Sequence, residues 1–197
     1  MLSNFNSLIK RKNFQAVAIG SSAGGLNALK TVFTELDKKF PLPIIIVQHI
    51  SADTDSYLPS LLDNLKKIKV KEADEKETPQ KGIAYIAPPN YHLLIESDRS
   101  FTLTVGERVN YARPSIDVLF ETAAEAYSDG LIGIILTGAN NDGSRGLKKI
   151  REMGGLTIVQ DPEEAEAEAM PASALEATNV DHVMKLKNIA KFLNSII

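Results

Sequence analysis

The sequence predicts an α/β fold: a three-layer, mostly parallel, doubly wound sheet with an antiparallel hairpin insertion. Short apolar runs of strand length alternate with segments of helical periodicity, which is typical of parallel strands covered by helices on both faces. Three short strands in the middle have no room for helices between them, so we expect them to be antiparallel. The length of 197 residues favours one domain over residues 1–197, with residues 1–14 as an N-terminal extension.

The first half contains two strand–turn–helix units and then the three short strands. The two units place strands over residues 15–19 and 44–47 and helices over residues 26–36 and 57–67. The short strands cover residues 82–87, 91–96 and 101–105, with polar turns between them. Their aromatic residues alternate with polar ones, as half-buried strands require, so we assign three of them to core or edge packing: Tyr85, Tyr91 and Phe101.

The second half continues the alternation of helices and strands. The predicted helices cover residues 116–127, 144–153, 163–177 and 189–196, and the predicted strands cover residues 131–136 and 156–159. An acidic run over residues 163–168 begins the third of these helices, and we assign it to a solvated helical face.

Composition excludes several classes of function. The chain has 22 basic and 25 acidic residues, so it lacks the basic field that nucleic-acid binding requires. Its longest apolar runs are far shorter than the ~20 residues of a membrane-spanning helix, and we find no signal peptide, so we expect no membrane insertion. Cysteine is absent and the three histidines are separated, which predicts no disulfide, no metal site and a cytoplasmic location.

The first strand ends in the turn GSSAGG at residues 20–25, which has the spacing of a nucleophile elbow centred on Ser22. Glycines here let the backbone approach a substrate closely, and the amides that open the next helix face any negative charge beside the hydroxyl. The same turn is also compatible with tight packing or with holding a phosphate. It is not a P-loop, because no Gly-Lys-Ser/Thr follows, and it lacks the G-x-G-x-x-G spacing of dinucleotide-binding turns.

His49 and Asp142 also follow predicted strands. The carboxyl ends of parallel strands meet at one edge of the sheet, where open α/β sheets bind ligands. A hydroxyl, an imidazole and a carboxylate at this edge are the set that acyl transfer needs: Ser22 attacks, His49 carries the proton, and Asp142 orients and stabilises the charged imidazole. The alternative for Asp142 is a helix N-cap. The remaining histidines are assigned to structural roles: His92 and His182.

Six blocks of sequence resemble the catalytic domain of the chemotaxis protein-glutamate methylesterases, the CheB family. They are AIGSSAGG at 18–25, VQH at 47–49, AYIAP at 84–88, RPSIDVLF at 113–120, ILTG with NDG between 135 and 143, and MP at 170–171. The blocks span almost the whole chain in the family's order. The family's serine, histidine and aspartate fall on Ser22, His49 and Asp142.

The resemblance implies hydrolysis of methyl esters on glutamate side chains, with release of methanol, and deamidation of particular glutamines, without a cofactor. The implied partners are the cytoplasmic helices of methyl-accepting chemotaxis receptors. Because both reactions pass through a tetrahedral oxyanion, backbone amides are expected beside it, and we place them at Ala23 and Ala139. Arg113, in a block shared with the family, is a candidate substrate-binding residue. An ion pair or hydrogen bonds to backbone carbonyls are its alternatives.

The chain departs from the family pattern in two respects. Ala139 stands where relatives commonly have methionine, and Asn140-Asn141 replaces Gly-Asn or Gly-Ser, so the floor of the pocket differs. The residues before the first strand are too few for the receiver domain that many relatives carry, so we expect a stand-alone catalytic domain, open to regulation by a partner in trans.

Two other functions stay open: a catalytically idle receptor-docking scaffold, and a phosphate- or nucleotide-binding module that uses the turn at residues 20–25.

Overall fold

The structure is a computed structural model that describes residues 13–49 and 57–196. Its strands are β1 (Ala16–Ser21), β2 (Ile44–Gln48), β3 (Lys69–Glu72), β4 (Ile83–Ile86), β5 (His92–Ile95), β6 (Phe101–Thr104), β7 (Leu131–Ile135), β8 (Leu156–Gln160) and β9 (His182–Met184). Its helices are α1 (Gly25–Glu35), α2 (Leu58–Asp63), α3 (Ile116–Tyr127), α4 (Ser144–Glu152), α5 (Ala169–Ala177) and α6 (Leu186–Ile196). Residues 1–12 of the predicted N-terminal extension lie outside the described residues.

Seven strands form one parallel sheet in the order β3-β4-β2-β1-β7-β8-β9. Central β1 pairs with β2 on one side and β7 on the other, so that Gly20 lies opposite both Val47 and Ile135. Because these three strands are parallel neighbours, the segments that follow them leave the sheet at the same edge. The predicted α/β fold with a mostly parallel sheet is therefore confirmed.

The prediction that all three short middle strands are antiparallel is wrong for the first of them. Only β5 and β6 form an antiparallel pair, whereas β4 pairs in parallel with both β2 and β3. Strand β3 was not predicted, because the segment KVKE is an edge strand with charged residues at three of its four positions and carries no apolar run. The link from β3 to β4 contains no helix, so the short spacing gave no sign of a parallel crossover.

Helix α3 has the predicted bounds, but α5 begins at Ala169 rather than at residue 163. Residues 163–168 form turns and bends, so the predicted helix is wrong here, but the glutamates of this run are exposed to solvent as predicted. The end of this segment binds the turn after β7: Ala167 donates its N–H to Thr137 Oγ1 at 2.8 Å, and its carbonyl accepts from the Gly138 N–H at 3.0 Å. These bonds to a distant segment of the same chain use the N–H and carbonyl groups of Ala167, which would bond within the helix if α5 continued through this residue.

The core lies in two apolar layers, one on each face of the parallel sheet. Helices α1, α2 and α6 cover one face, where Phe33, Leu62 and Leu193 are buried. Helices α3, α4 and α5 and the β5–β6 hairpin cover the other face, which buries Phe120. Tyr85 and Phe101 pack edge to face, with 5.0 Å between their ring centroids, as predicted. Tyr91 is exposed, so its assignment to packing is wrong. No helix within the described ranges combines the length and apolar character needed to cross a membrane.

Candidate active site

Ser22, His49 and Asp142 lie together at the edge of the sheet where β1, β2 and β7 end. His49 Nδ1 is 3.2 Å from Ser22 Oγ, and His49 Nε2 is 2.9 Å from Asp142 Oδ2. A hydroxyl, an imidazole and a carboxylate are thus connected in series. The two ring nitrogens have exchanged places relative to the chymotrypsin arrangement, in which Nε2 faces the serine and Nδ1 faces the carboxylate.

Gln48 fixes the two segments that carry the hydroxyl and the imidazole. Its Oε1 accepts a hydrogen bond from Ser21 Oγ at 2.7 Å, while its Nε2 donates to the carbonyls of Ser22 at 2.8 Å and His49 at 2.9 Å. The side chain is buried, so these bonds are made away from competing water. This role of Gln48 as a clamp between the two segments was not predicted, because nothing in the motif VQH distinguishes it from an ordinary strand residue.

The position of the Gln48 side chain requires glycine at residue 25. A Cβ atom at residue 25 would lie 1.9 Å from Gln48 Oε1, and one at Gly20 would lie 2.3 Å from a methyl group of Ile116. Packing within the protein therefore accounts for the glycines at these two positions without a substrate. They let side chains of the protein itself approach the ends of β1 and α1.

Asp142 is fully buried and lies at the N-terminus of α3. Within the described residues its carboxylate accepts five hydrogen bonds, from His49 Nε2, Asn110 Nδ2, Ser115 Oγ and the N–H groups of Ile116 and Asp117. A carboxylate is favoured there, because the first amides of a helix are unpaired and carry partial positive charge. The N-cap of α4, which follows Asp142 in sequence, is Gly143. Asp142 therefore caps a helix, but a different one from the helix its sequence position suggested.

The surroundings of Asp142 keep its carboxylate charged. Burial by itself raises the pKa of Asp142, but the hydrogen bonds from His49, Asn110 and the Ile116 amide outweigh burial and hold the pKa below its ordinary value. The negative charge beside His49 Nε2 can then orient the imidazole and stabilise its protonated form.

Two asparagines with no predicted catalytic role, Asn110 and Asn140, also contact the site. Asn110 Nδ2 lies 2.9 Å from Asp142 Oδ1, at the tip of a tight turn in which both Asn110 and Tyr111 have positive φ. Asn140 contacts two members of the series: its Oδ1 accepts the Asp142 N–H at 3.1 Å, and its Nδ2 lies 3.4 Å from His49 Nδ1. The preference of asparagine for turns does not distinguish Asn110 from other turn residues. Asn140 was predicted to change the floor of the pocket, but its contacts with His49 and Asp142 were not predicted.

A cavity of about 450 Å³ opens onto Ser22 and His49. Its other lining residues are Asn90, Arg108, Asn110, Tyr111, Ala112, Arg113, Pro114 and Asn140. Among the described residues, the lining therefore contains two arginines and no acidic residue. Arg113 Nη1 donates to the carbonyls of Val105 and Gly106, both at 2.8 Å, so the alternative of hydrogen bonds to backbone carbonyls is observed for this arginine.

The remaining candidate residues have separate surroundings. The N–H groups of Ala23 and Ala139 donate to no acceptor within residues 13–49 and 57–196. His92 is held structurally, since its Nε2 lies 2.8 Å from the Glu107 carbonyl and its Nδ1 accepts from the Ser115 N–H. His182 packs against the Phe192 ring in the last strand and helix. In the same two ranges no group of three or more histidine or acidic side chains is arranged to hold a metal ion.

A serine, a histidine and a buried aspartate in series, at the carboxyl edge of a parallel sheet, are the arrangement of an α/β serine hydrolase. A family model described as CheB methylesterase matches residues 17–193. The chain belongs to this family.

Individual relatives agree with that assignment. A Leptospira interrogans protein is 59% identical over 179 residues, which are 91% of this chain and 93% of that protein. Its name describes it as a protein-glutamate methylesterase/protein-glutamine glutaminase. The Thermotoga maritima protein-glutamate methylesterase/protein-glutamine glutaminase is 35% identical over 184 residues, which cover 92% of this chain and 54% of that protein. The crystal structure of the Thermotoga maritima CheB methylesterase catalytic domain matches with a TM-score of 0.90 at 34% identity, over 94% of this chain and 100% of that one.

Proposed function

We propose that this protein is a protein-glutamate methylesterase that also acts as a glutamine deamidase, with Ser22 as nucleophile, His49 as general base and acid, and Asp142 as the group that orients His49. The observation that carries the proposal is the pair of contacts made by His49, 3.2 Å to Ser22 Oγ and 2.9 Å to Asp142 Oδ2. The names of relatives that match nearly the whole chain support the choice of substrate.

In the acylation step, Ser22 Oγ bonds to the ester carbonyl carbon while its proton passes to His49 Nδ1. The π electrons of the carbonyl move to its oxygen, which becomes the oxyanion of a tetrahedral intermediate. When the intermediate collapses, the bond from carbon to the methoxy oxygen breaks, and the proton on His49 Nδ1 goes to that oxygen to release methanol. Asp142, charged and held by five donors, stabilises the imidazolium between these transfers.

In the deacylation step, water replaces methanol. His49 Nδ1 takes a proton from the attacking water and returns it to Ser22 Oγ, and the product is the glutamate carboxylic acid, which ionises. With a glutamine side chain the same sequence releases ammonia in place of methanol. The N–H groups of Ala23 and Ala139 are the proposed oxyanion donors, supported by the absence of an acceptor for either within the described residues.

The proposed substrates are methylated glutamates on the cytoplasmic helices of chemoreceptors, so we propose that the enzyme acts in the cytoplasm. The cavity supports an acidic protein substrate, because two arginines, Arg108 and Arg113, line it and no acidic residue of the described part of the chain does. A partner chain in trans is the proposed route of regulation.

Replacement of Ser22 by Ala tests the proposal. We expect the variant to lose nearly all methanol release from a methylated receptor fragment, down to the rate that binding and the oxyanion donors supply. Ser21→Ala is the matched control: it removes one hydrogen bond, from Ser21 Oγ to Gln48, and keeps most of the activity. A fluorophosphonate should label the wild type and the control but not Ser22→Ala. Equal methanol release by all three proteins would overturn the proposal.

The two alternative functions predict different results. A phosphate-binding turn is disfavoured by Glu166, whose carboxylate lies beside Gly24 and 3.5 Å from Asn27 Nδ2, at the N-terminus of α1 where an anion would bind. Calorimetry with nucleotides is therefore expected to show no binding. A catalytically idle scaffold would bind receptor fragments, resist labelling at Ser22 and release no methanol.

A further inference from the structure

Asn140 contacts both Asp142 and the cavity beside Ser22. It lies in the turn between β7 and α4 and lines the cavity beside Ser22 and His49. Its Oδ1 accepts the backbone N–H of Asp142 at 3.1 Å, which identifies the other end of the amide as the donor. That donor, Nδ2, lies 3.4 Å from His49 Nδ1.

Two donors therefore approach one acceptor at His49. A neutral imidazole has one N–H and one lone pair. Because Nε2 faces the Asp142 carboxylate at 2.9 Å, Nε2 carries the hydrogen and Nδ1 carries the lone pair. Ser22 Oγ at 3.2 Å and Asn140 Nδ2 at 3.4 Å both face that lone pair.

Proton transfer from Ser22 removes this acceptor from Asn140. Once His49 Nδ1 holds the proton, it is itself a donor and can no longer accept from Asn140 Nδ2. In the same step, the carbonyl oxygen of the substrate gains the electron pair of its π bond and becomes an anion within the cavity that Asn140 lines. An N–H group that loses its acceptor in a partly buried site is stabilised by bonding to the charge that forms there.

We propose that the side-chain amide of Asn140 is an oxyanion donor, which shifts from His49 Nδ1 in the resting enzyme to the tetrahedral intermediate. The inference rests on the proposed function, since it concerns the same Ser22 and His49. Asn140 exchanges no atom with the substrate. It contributes one hydrogen bond, which is stronger to the oxyanion than to the neutral carbonyl and therefore lowers the barrier.

Two substitutions separate this role from a structural one. Asn140→Asp keeps an oxygen for the Asp142 N–H but has no N–H to donate, whereas Asn140→Ala loses both groups. For an oxyanion donor, both variants are expected to lose ~10²- to 10³-fold in kcat with little change in KM. The rates are compared on the plateau of each pH profile, so that a change in protonation of His49 does not contribute. For a residue that only holds the turn, Asn140→Asp would stay near the wild-type rate.

The control is Asn141→Asp, which adds the same charge one residue away on an exposed side chain outside the cavity, and should keep the wild-type kcat. A second measurement uses an alkylboronic acid, whose adduct with Ser22 is tetrahedral and anionic. Both Asn140 variants should bind it more weakly by a factor similar to their loss in kcat. If the wild type hydrolyses the ester and Asn140→Asp retains its kcat, the inference is wrong and the proposed function stands. A wild type that hydrolyses no ester overturns both.

Discussion

Asp142 and Asp117 cap two neighbouring helices reciprocally: Asp142 binds the N-terminus of α3, and Asp117 binds the N-terminus of α4. Asp142, just before α4, accepts the Ile116 N–H of α3 at 2.6 Å, and Asp117, in the first turn of α3, accepts the Gly146 N–H of α4 at 2.7 Å. Asn110 Nδ2 bridges the two carboxylates, at 2.9 Å from an oxygen of each. The position of Asp142 beside His49 is therefore set by the packing of two helices and one turn, and not by its own loop alone.

We expect Asn110→Ala to destabilise the fold and to lower activity. The substitution leaves two buried carboxylate oxygens without a shared donor, which costs about 1–3 kcal/mol in the free energy of unfolding. Tyr111→Ala is the matched control for stability, because the Tyr111 side chain belongs to the same turn but is 95% exposed, and it should change stability by less than about 0.5 kcal/mol. Urea unfolding of both variants measures the difference. Equal stabilities would show that the bridge contributes nothing.

The two carboxylates should give opposite dependences of stability on pH. Asp142 has a lowered pKa, so below the unfolded value of about 3.9 the unfolded chain binds more protons and stability falls as pH falls through the folded pKa. Burial raises the pKa of Asp117, with a contribution from the charge of Asp142, and outweighs the Gly146 N–H bond. Its stabilising contribution is therefore complete below about pH 3.9 and is lost as pH rises through the folded pKa.

Urea unfolding over a pH series tests these signs. Compared with the wild type, Asp142→Asn should have a weaker rise of stability with pH in the acid range, and Asp117→Asn should lose the decrease that Asp117 causes as pH rises above about 3.9. A wild-type slope retained by both variants would contradict the assigned directions.

Gly25→Ala should disrupt the clamp made by Gln48. The new Cβ would lie 1.9 Å from Gln48 Oε1 and 2.9 Å from the Ser21 Cβ, so a buried side chain must move and its hydrogen bonds to Ser22 and His49 are lost. We expect a loss of at least ~1–3 kcal/mol in stability and a fall in kcat. Gly106→Ala is the control, since the nearest atom to its new Cβ is 3.8 Å away. Thermal unfolding and ester hydrolysis should separate the variants, and a fully active Gly25→Ala would refute the clamp.

Arg108 is expected to attract acidic substrates through charge. It is exposed, lines the cavity and forms no ion pair with another described residue. Arg108→Ala should raise KM severalfold at low ionic strength with kcat unchanged, and the difference should shrink as salt screens the charge. For Arg113→Ala the rise in KM should persist at high salt, because Arg113 also donates hydrogen bonds to the carbonyls of Val105 and Gly106. A salt-independent effect of Arg108→Ala would contradict this role.

The sequence by itself determined the α/β class and the edge of the sheet at which Ser22, His49 and Asp142 meet. Apolar strands that alternate with helices predict a parallel sheet, and Ser22, His49 and Asp142 each follow one of its strands, so their meeting at one edge follows from strand direction. Local sequence patterns were sufficient to predict the strands and their direction, because the apolar residues of a buried strand and the turn residues after it are consecutive in the sequence.

Only the tertiary structure decided which residues fix this edge in place. The parallel pairing of β4, the clamp of Gln48, the capping of α3 by Asp142 and the bridge from Asn110 all join segments distant in sequence. Periodicity reports whether a residue is buried, but not which strand, amide or carboxylate it meets there. Those partners are set by how helices and strands pack against one another, since buried polar groups must find hydrogen bonds wherever the packed chain supplies them.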